Sequence, residues 1–508
     1  MIKYITILLF VLLVNNAFSA PDQCIIYIDS ASNNTNITCG STMQNACATI
    51  KDGFKACEAL NISSISFNLG DGTYPLPANL QLSIFNQTLE INGPIGGNTN
   101  LLFVNQTETV LLLDQAGHGF TSFSLSNLNI QGLETTLVQS NNTNSLFYII
   151  MINCTFDGQG MNLVAPLFDL VGIASIDSVL SIAGSSFMNY VATQDQQFPL
   201  IYRGQSFQFK LTDCIVSNNI VTNSMFSSVG DEIMILSSQF NQNQISNQPL
   251  FNVLRCMSFL LENQSQFNGN VLTGTGTNTT ALITLQNSTF WNFMDVEFKQ
   301  NQNLVGLYVY GSHNDGSLAR IQFTENTLAP YTPFVNVQFG VQISIENSNF
   351  TNNSASENGF ISIDHSIVSF TFCTFTSSSG LIANINDKST VNYIDPSFQS
   401  NGQPWKFFYC GNSNITYMEN NDEYEQLMQA NEVECSQGCY FNNVLSSNNV
   451  CVIPTPSPTP TPKSDDKPKW GTGKIIVIIL AIAITLAVVA GVVYYFVRRS
   501  KHHHYQRI

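Results

Sequence analysis

The chain has 508 residues, of which only 10% are charged, and a formal net charge of −16 at neutral pH. Nucleic-acid binding depends on neutralising phosphates with lysine and arginine, so this acidic, charge-poor composition disfavours it. Twelve cysteines and 36 phenylalanines point instead to an oxidising compartment and a large apolar core.

The first 19 residues carry one lysine, an apolar run and then Ala17 and Ser19, the pattern of a secretory signal peptide removed after Ser19. Residues 20–61 form an N-terminal cap: a strand, a cysteine-bearing loop, then a helix with Ile50, Phe54, Cys57 and Leu60 on one face. Cys24, Cys39, Cys47 and Cys57 make an even group that reads as disulfide-bonded, with three pairings open. No histidine accompanies them, which argues against zinc. A strand "SISFNLGDGTYPL" follows. Strand, Cys-Gly loop, "ATI" helix and Gly-x-Tyr strand in this order resemble the opening of the pectin-lyase-like superfamily. The resemblance implies an all-β, right-handed, single-stranded parallel β-helix whose open end is plugged by an amphipathic capping helix.

Residues 62–403 test this by periodicity, because such a solenoid must return to the same point once per coil. A recurring phrase ends on Ile130, Phe156, Phe187, Val216, Phe240, Phe267, Phe290, Phe323, Phe350, Phe375 and Phe398, spaced 23 to 33 residues apart. That gives roughly 13 coils, or about 60 Å of stack at a strand separation of ~4.8 Å. Three residues before the aromatic stands Asn127, Asn153, Gly184, Asp213, Asn287 or Asn347, types that tolerate a left-handed bend. Two before it stands a small residue, such as Ser185, Ser238, Ser265, Ser288 or Ser348, which strand alternation places on the same face as the aromatic. Cys154, Cys214 and Cys373 occupy that small position and are expected to pack rather than react.

Cys410, Cys435, Cys439 and Cys451 mark a Cys-rich module over 404–452, again with the pairing open. A Pro/Thr stalk follows at 453–473, then an uncharged apolar stretch within 474–497 long enough to span a bilayer as a transmembrane helix. Arg498, Arg499 and Lys501 open an eleven-residue tail, 498–508, on the cytosolic side. The expected topology is therefore single-pass type I, with the solenoid outside or lumenal. Ala483, Ala487 and Gly491 share one face of the span, which is the spacing for a homodimer through the transmembrane helix. The tail ends in Tyr505-Gln506-Arg507-Ile508, a Tyr-x-x-apolar sorting signal for a clathrin adaptor. It resembles the tails of lysosome-associated membrane glycoproteins, which implies cell surface or endosome-lysosome as the address. Sequons at Asn33, Asn36, Asn61, Asn86, Asn105, Asn141, Asn263, Asn278, Asn349, Asn352 and Asn414 are expected to carry glycans. Those at Asn153 and Asn287 are expected to be poorly used, because there the bending asparagine is itself the acceptor.

Catalytic signals are weak. Glycoside hydrolysis needs two carboxylates flanking the bond, and no Asp-Asp lies on any coil. Gly117-His118-Gly119 stands alone. Arg203 and Asp231, about one coil apart, are the nearest thing to a charged site, beside Glu232. No cofactor or metal is called for. The leading reading is a non-catalytic recognition, adhesion or protective module for a carbohydrate or protein ligand; the alternative is a membrane-tethered polysaccharide lyase or glycoside hydrolase. Three or more charged side chains gathered on one exposed sheet face would favour the enzyme.

Overall fold

The computed structural model describes residues 23–445 except 59–62, 77–80, 85–86, 105, 107, 114–118, 141–144, 173–176, 193–197, 273–280, 312–314, 329–331, 355–358, 377–379, 400–404, 419–432, 437 and 443. The residues expected to form the signal peptide, stalk, transmembrane helix and tail with Tyr505 and Ile508 all lie outside the described residues. Among the described residues no helix is long and apolar enough to cross a membrane.

Each coil contributes three short strands in fixed order, as in Ser64–Leu69, Gly72–Leu76 and Leu82–Ile84. Successive coils stack them into three long sheets, here A, B and C, of 17, 13 and 14 strands. All their pairings are parallel except the last, where Tyr440–Phe441 meets Val444–Leu445 antiparallel. The chain is thus a parallel β-solenoid. The stacking runs past residue 403: Trp405–Cys410 pairs with Gly380–Asn386, and Asn414–Met418 with Thr390–Ile394.

Strand alternation turns every second side chain into the coil, and register then stacks like on like. In sheet B, Phe156 pairs with Phe187, Phe240 with Phe267, Phe323 with Phe350 and Phe350 with Phe375. Their ring centroids lie 4.6 to 4.7 Å apart and nearly parallel. A second ladder, including Phe334 and Phe360 just before their sheet C strands, meets the first edge-on at 5.7 and 5.9 Å. Offset stacks along the axis and T-shaped contacts across it are both favourable for aromatic quadrupoles.

One rung departs from the expected register. Phe290 is 48% exposed, at the start of the sheet A strand Phe290–Met294. Phe298 takes the ladder position instead, pairing with Phe267 and Phe323. The reason is that two corners share one grammar. Asn287 does bend left-handed (φ 52°) and Ser288 is buried, but they turn the chain from sheet C into A. The A-to-B bend of this coil is Asp295 (φ 58°), three residues before Phe298.

The other expected bends hold, with φ of 54°, 53°, 58°, 53° and 49° at Asn127, Asn153, Gly184, Asp213 and Asn347. The small position does more than fill space. The N–H groups of Cys154, Cys214, Ser238 and Ile321 donate to the hydroxyls of Ser185, Ser238, Ser265 and Ser348 one coil on, at 3.0 to 3.2 Å. Cys154, Cys214, Cys256 and Cys373 are free and buried. Desolvation pushes the thiols of Cys154, Cys214 and Cys373 up to about 11 and that of Cys256 further, so all four stay protonated and inert.

A third ladder was not foreseen. Asn219, Asn243, Asn270, Asn301, Asn326 and Asn353, three residues after the sheet B core residue, are all buried. The Nδ2 of Asn270 donates to the Phe240 carbonyl at 2.8 Å and to Asn301 Oδ1 at 3.0 Å. Asn270 Oδ1 accepts from both the N–H and the Nδ2 of Asn243, at 3.1 and 3.0 Å. The same pattern repeats coil by coil, so the turn from B to C satisfies its own buried polar groups.

At the N-terminal end, Cys24 bonds Cys57 and Cys39 bonds Cys47. The helix Ile50–Glu58 starts on a Thr49 cap whose hydroxyl accepts from the Asp52 N–H at 3.1 Å. Its Ile50 is buried, and Phe54 meets Phe67 at 6.3 Å. At the other end Cys410 bonds Cys439 and Cys435 is also disulfide-bonded; Cys451 lies outside the described residues.

Candidate functional site

The charged pair suggested by sequence does not assemble. Arg203, on the outer face of sheet C, forms a two-pronged ion pair with Asp169 of the preceding coil; its Nε reaches Asp169 Oδ1 at 2.6 Å. Asp231 lies inside the solenoid, fully buried. Its Oδ1 accepts the Phe207 N–H at 2.9 Å and its Oδ2 the Tyr202 hydroxyl at 2.8 Å. It occupies the small buried position after the C-to-A corner, the one that Ser288, Ser366 and Ser389 fill on other coils. His118 lies outside the described residues.

Burial raises the Asp231 carboxyl from 3.8 to about 6. Below the lower value both folded and unfolded chains hold the proton; between the two only the folded chain does; above the higher value the fold bears a buried charge. Stability from this group is therefore greatest in acid and falls as pH rises from about 4 through 6, by about 3 kcal/mol for a shift of about two units. Asp231→Asn should remove that slope and be the more stable form at pH 7. Denaturant titrations at pH 4 and 7 check this, and a gap between the two proteins that does not change with pH would refute it.

Two outward-facing clusters were missed, both built from columns that the stacking creates. The first is a groove of about 550 Å³ lined by Gln264, Gln266, Asp295, Val296, Glu297, Arg320, Gln322, Asn347 and Asn349. Gln266, Glu297, Gln322 and Asn349 are register partners at the first position of successive sheet B strands. Asp295, Arg320 and Asn347 are the left-handed bends just before them, with φ of 58°, 56° and 49°. Asp295, Glu297 and Arg320 thus gather three charges on one exposed face. Two of these neutralise each other: Arg320 Nε and Nη2 each donate to Asp295 at 2.6 Å. The guanidinium holds the Asp295 carboxyl below its usual value, and the carboxylate raises that of Arg320. Asp295 therefore stays ionised and Arg320 protonated near neutral pH, so neither serves as a proton donor there, while Asp295 keeps the charge state of a base, weakened by its ion pair.

The second cluster lies where sheet C turns into A. One column of left-handed bends there runs Ser206, Gly230, Arg255, Asn287, Gly311, Phe339, His365 and Asp387. Most of these are types that suit the conformation. Phe339 is not: a bulky residue at φ 62° costs about 1 to 2 kcal/mol relative to a right-handed one, yet the residue is 47% exposed. It meets Tyr310 edge-on at 5.4 Å and stacks with His365 at 5.9 Å. Tyr308, 6.2 Å from Tyr310, extends the strip and donates its hydroxyl to Gln338 Oε1 at 3.1 Å. At the far end His365 Nδ1 lies 2.7 Å from Asp364 Oδ1. Asp364, His365 and Asp387 each offer a ligand atom within 4.8 Å of the others, so among the described residues these are side chains that could hold a metal ion. Rings and carboxylates side by side are the equipment for stacking on a sugar and gripping its hydroxyls.

Of the expected glycan acceptors, Asn33, Asn36, Asn263, Asn349 and Asn352 are exposed and Asn414 is half-buried. Asn61, Asn86, Asn105, Asn141 and Asn278 lie outside the described residues. Asn153 and Asn287 are exposed rather than buried in the stack, although Asn153 Nδ2 does donate to Asn127 Oδ1 at 3.2 Å.

No protein-family model and no curated protein matches the chain. The chain is similar to several solved structures at low sequence identity. They include a family 28 exopolygalacturonase of Yersinia enterocolitica, 11% identical, covering 77% of this chain and 78% of that one with a TM-score of 0.27. The A-module of the Azotobacter vinelandii mannuronan C-5 epimerase AlgE6 is 10% identical over 77% and 94% of the two chains, TM-score 0.24. A rhamnogalacturonan lyase is 10% identical over 79% and 83%, TM-score 0.16.

Proposed function

We propose that this chain is a membrane-tethered recognition module whose solenoid binds a hydroxyl-rich polymer, a saccharide chain, without cleaving it. The observation that carries the reading is the Asp295–Arg320 pair. It supplies the charge count an enzyme would need, but the pairing keeps Asp295 ionised and Arg320 charged, so neither can give up a proton as the general acid that glycoside hydrolysis requires. A glycoside hydrolase in this groove would have to take its general acid from Glu297. The aromatic strip provides what recognition requires, a ring surface spanning several coils with carboxylates at one end. Tethering, type I topology and adaptor-guided traffic between surface and endosome-lysosome rest on the signal peptide, the apolar stretch and the Tyr505–Ile508 tail; localisation of the tagged full-length chain tests them.

Detergent-solubilised full-length protein on a glycan array should bind a subset of saccharides and release no reducing or unsaturated sugar from them. Phe339→Asn should abolish that binding while leaving the melting temperature equal or higher, since asparagine tolerates the left-handed bend. Sugar release that is lost on Glu297→Gln would establish the enzyme instead.

A further inference from the structure

We propose that Asn349 carries an N-linked glycan and that this glycan lies over the Asp295–Arg320 groove, closing it to other ligands. Asn349-Phe350-Thr351 is a sequon. Register fixes where its acceptor points: Phe350 is 1% exposed and stacks in the core, so Asn349 on the same short strand must face outward. The outward position is inside the groove, beside Gln322 and Arg320. Asn153, by contrast, is tied to Asn127 through its Nδ2.

The groove also suits a sugar attached at its rim. Gln264, Gln266 and Gln322 offer amide donors and acceptors, and the paired Asp295 and Arg320 present charge without needing a counter-ion. The first residues of a glycan rooted on Asn349 meet these groups at the effective concentration of a short tether. Occupancy of one sequon then sets the state of the groove. A chain glycosylated at Asn349 recognises ligands through the aromatic strip alone, and an unglycosylated chain has both surfaces open. This rests on the reading that the chain passes through the secretory pathway, and not on the identity of any external ligand.

Phenylglyoxal, which modifies accessible guanidinium groups, tests the closure directly. Full-length protein from a glycosylating host would be compared with Thr351→Ala, which destroys the sequon but keeps Asn349, and with Asn349→Gln. Glycopeptide mapping should find Asn349 occupied. Arg320 should be modified several-fold more slowly in the glycosylated protein than in either variant, with Arg203, on a different sheet, unchanged as the internal control. Equal Arg320 rates with Asn349 occupied would overturn the closure. Glycans at Asn36 or Asn263 but none at Asn349 would overturn the site while leaving the secretory reading intact; no glycan at any sequon would overturn both.

Discussion

Asn270→Ala is expected to destabilise the solenoid by roughly 2 to 4 kcal/mol, because three buried polar groups each lose a hydrogen-bond partner, although the Asn243 amide keeps its bond to the Val216 carbonyl. The Phe240 carbonyl loses the Asn270 amide, and the N–H and Nδ2 of Asn243 lose their shared acceptor. Asn270→Asp should fare little better, since a carboxylate restores the acceptor but cannot donate to Phe240 or Asn301. Because each coil contacts only its neighbours, the damage should concentrate around residues 243 to 301. Hydrogen exchange should show protection lost there first, and denaturant titration gives the total. A loss below about 1 kcal/mol would mean that the asparagine column is ornament and that backbone pairing alone holds this corner.

The second large effect separates two phenylalanines eight residues apart. Phe298→Ala should cost about 3 to 5 kcal/mol, as expected for removing a buried ring whose neighbours cannot collapse into the space. Its ring sits between Phe267 at 5.0 Å and Phe323 at 5.3 Å, with Phe334 edge-on at 5.8 Å. Phe290→Ala should stay within about 0.5 kcal/mol, the usual range for a surface substitution. Thermal or chemical denaturation of the two variants decides the register of this coil; the reverse order would restore the sequence-based alignment on Phe290.

That coil shows what could be read in advance and what could not. Ten of the eleven aligned positions fall in the sheet B ladder because an aromatic, a small residue and a bend recur at fixed offsets, and burial at one period enforces them. The eleventh failed because the same three-residue grammar serves a second corner, and the spacings of 23 and 33 residues around Phe290 were the warning: 31 and 25 around Phe298 sit closer to the rest. The asparagine column was hidden by composition, since asparagine is so frequent that six of them in register do not stand out. Asp295 and Phe339 were invisible for a different reason. Each is a bend residue, chosen by backbone tolerance elsewhere in its column, so only alignment of that particular corner reveals a charged or bulky residue where asparagine or glycine is the norm. Cys154, Cys214 and Cys373 were legible because burial next to a known ladder left them no other role, whereas Cys256, beside the C-to-A bend Arg255, was not.

The reversal at Tyr440–Phe441 and Val444–Leu445 has a bearing on how such a molecule stays single. Parallel rungs of nearly constant length have no built-in stopping point, and a terminal rung presents the same row of N–H and C=O groups that recruited the one before it. A second molecule could dock on that edge and prolong the stack into a fibre. A last strand running the other way offers the wrong polarity to an incoming parallel rung. Among the described residues sheet A thus closes on a reversed strand, whereas sheets B and C end on the parallel strands Ser397–Gln399 and Val433–Cys435.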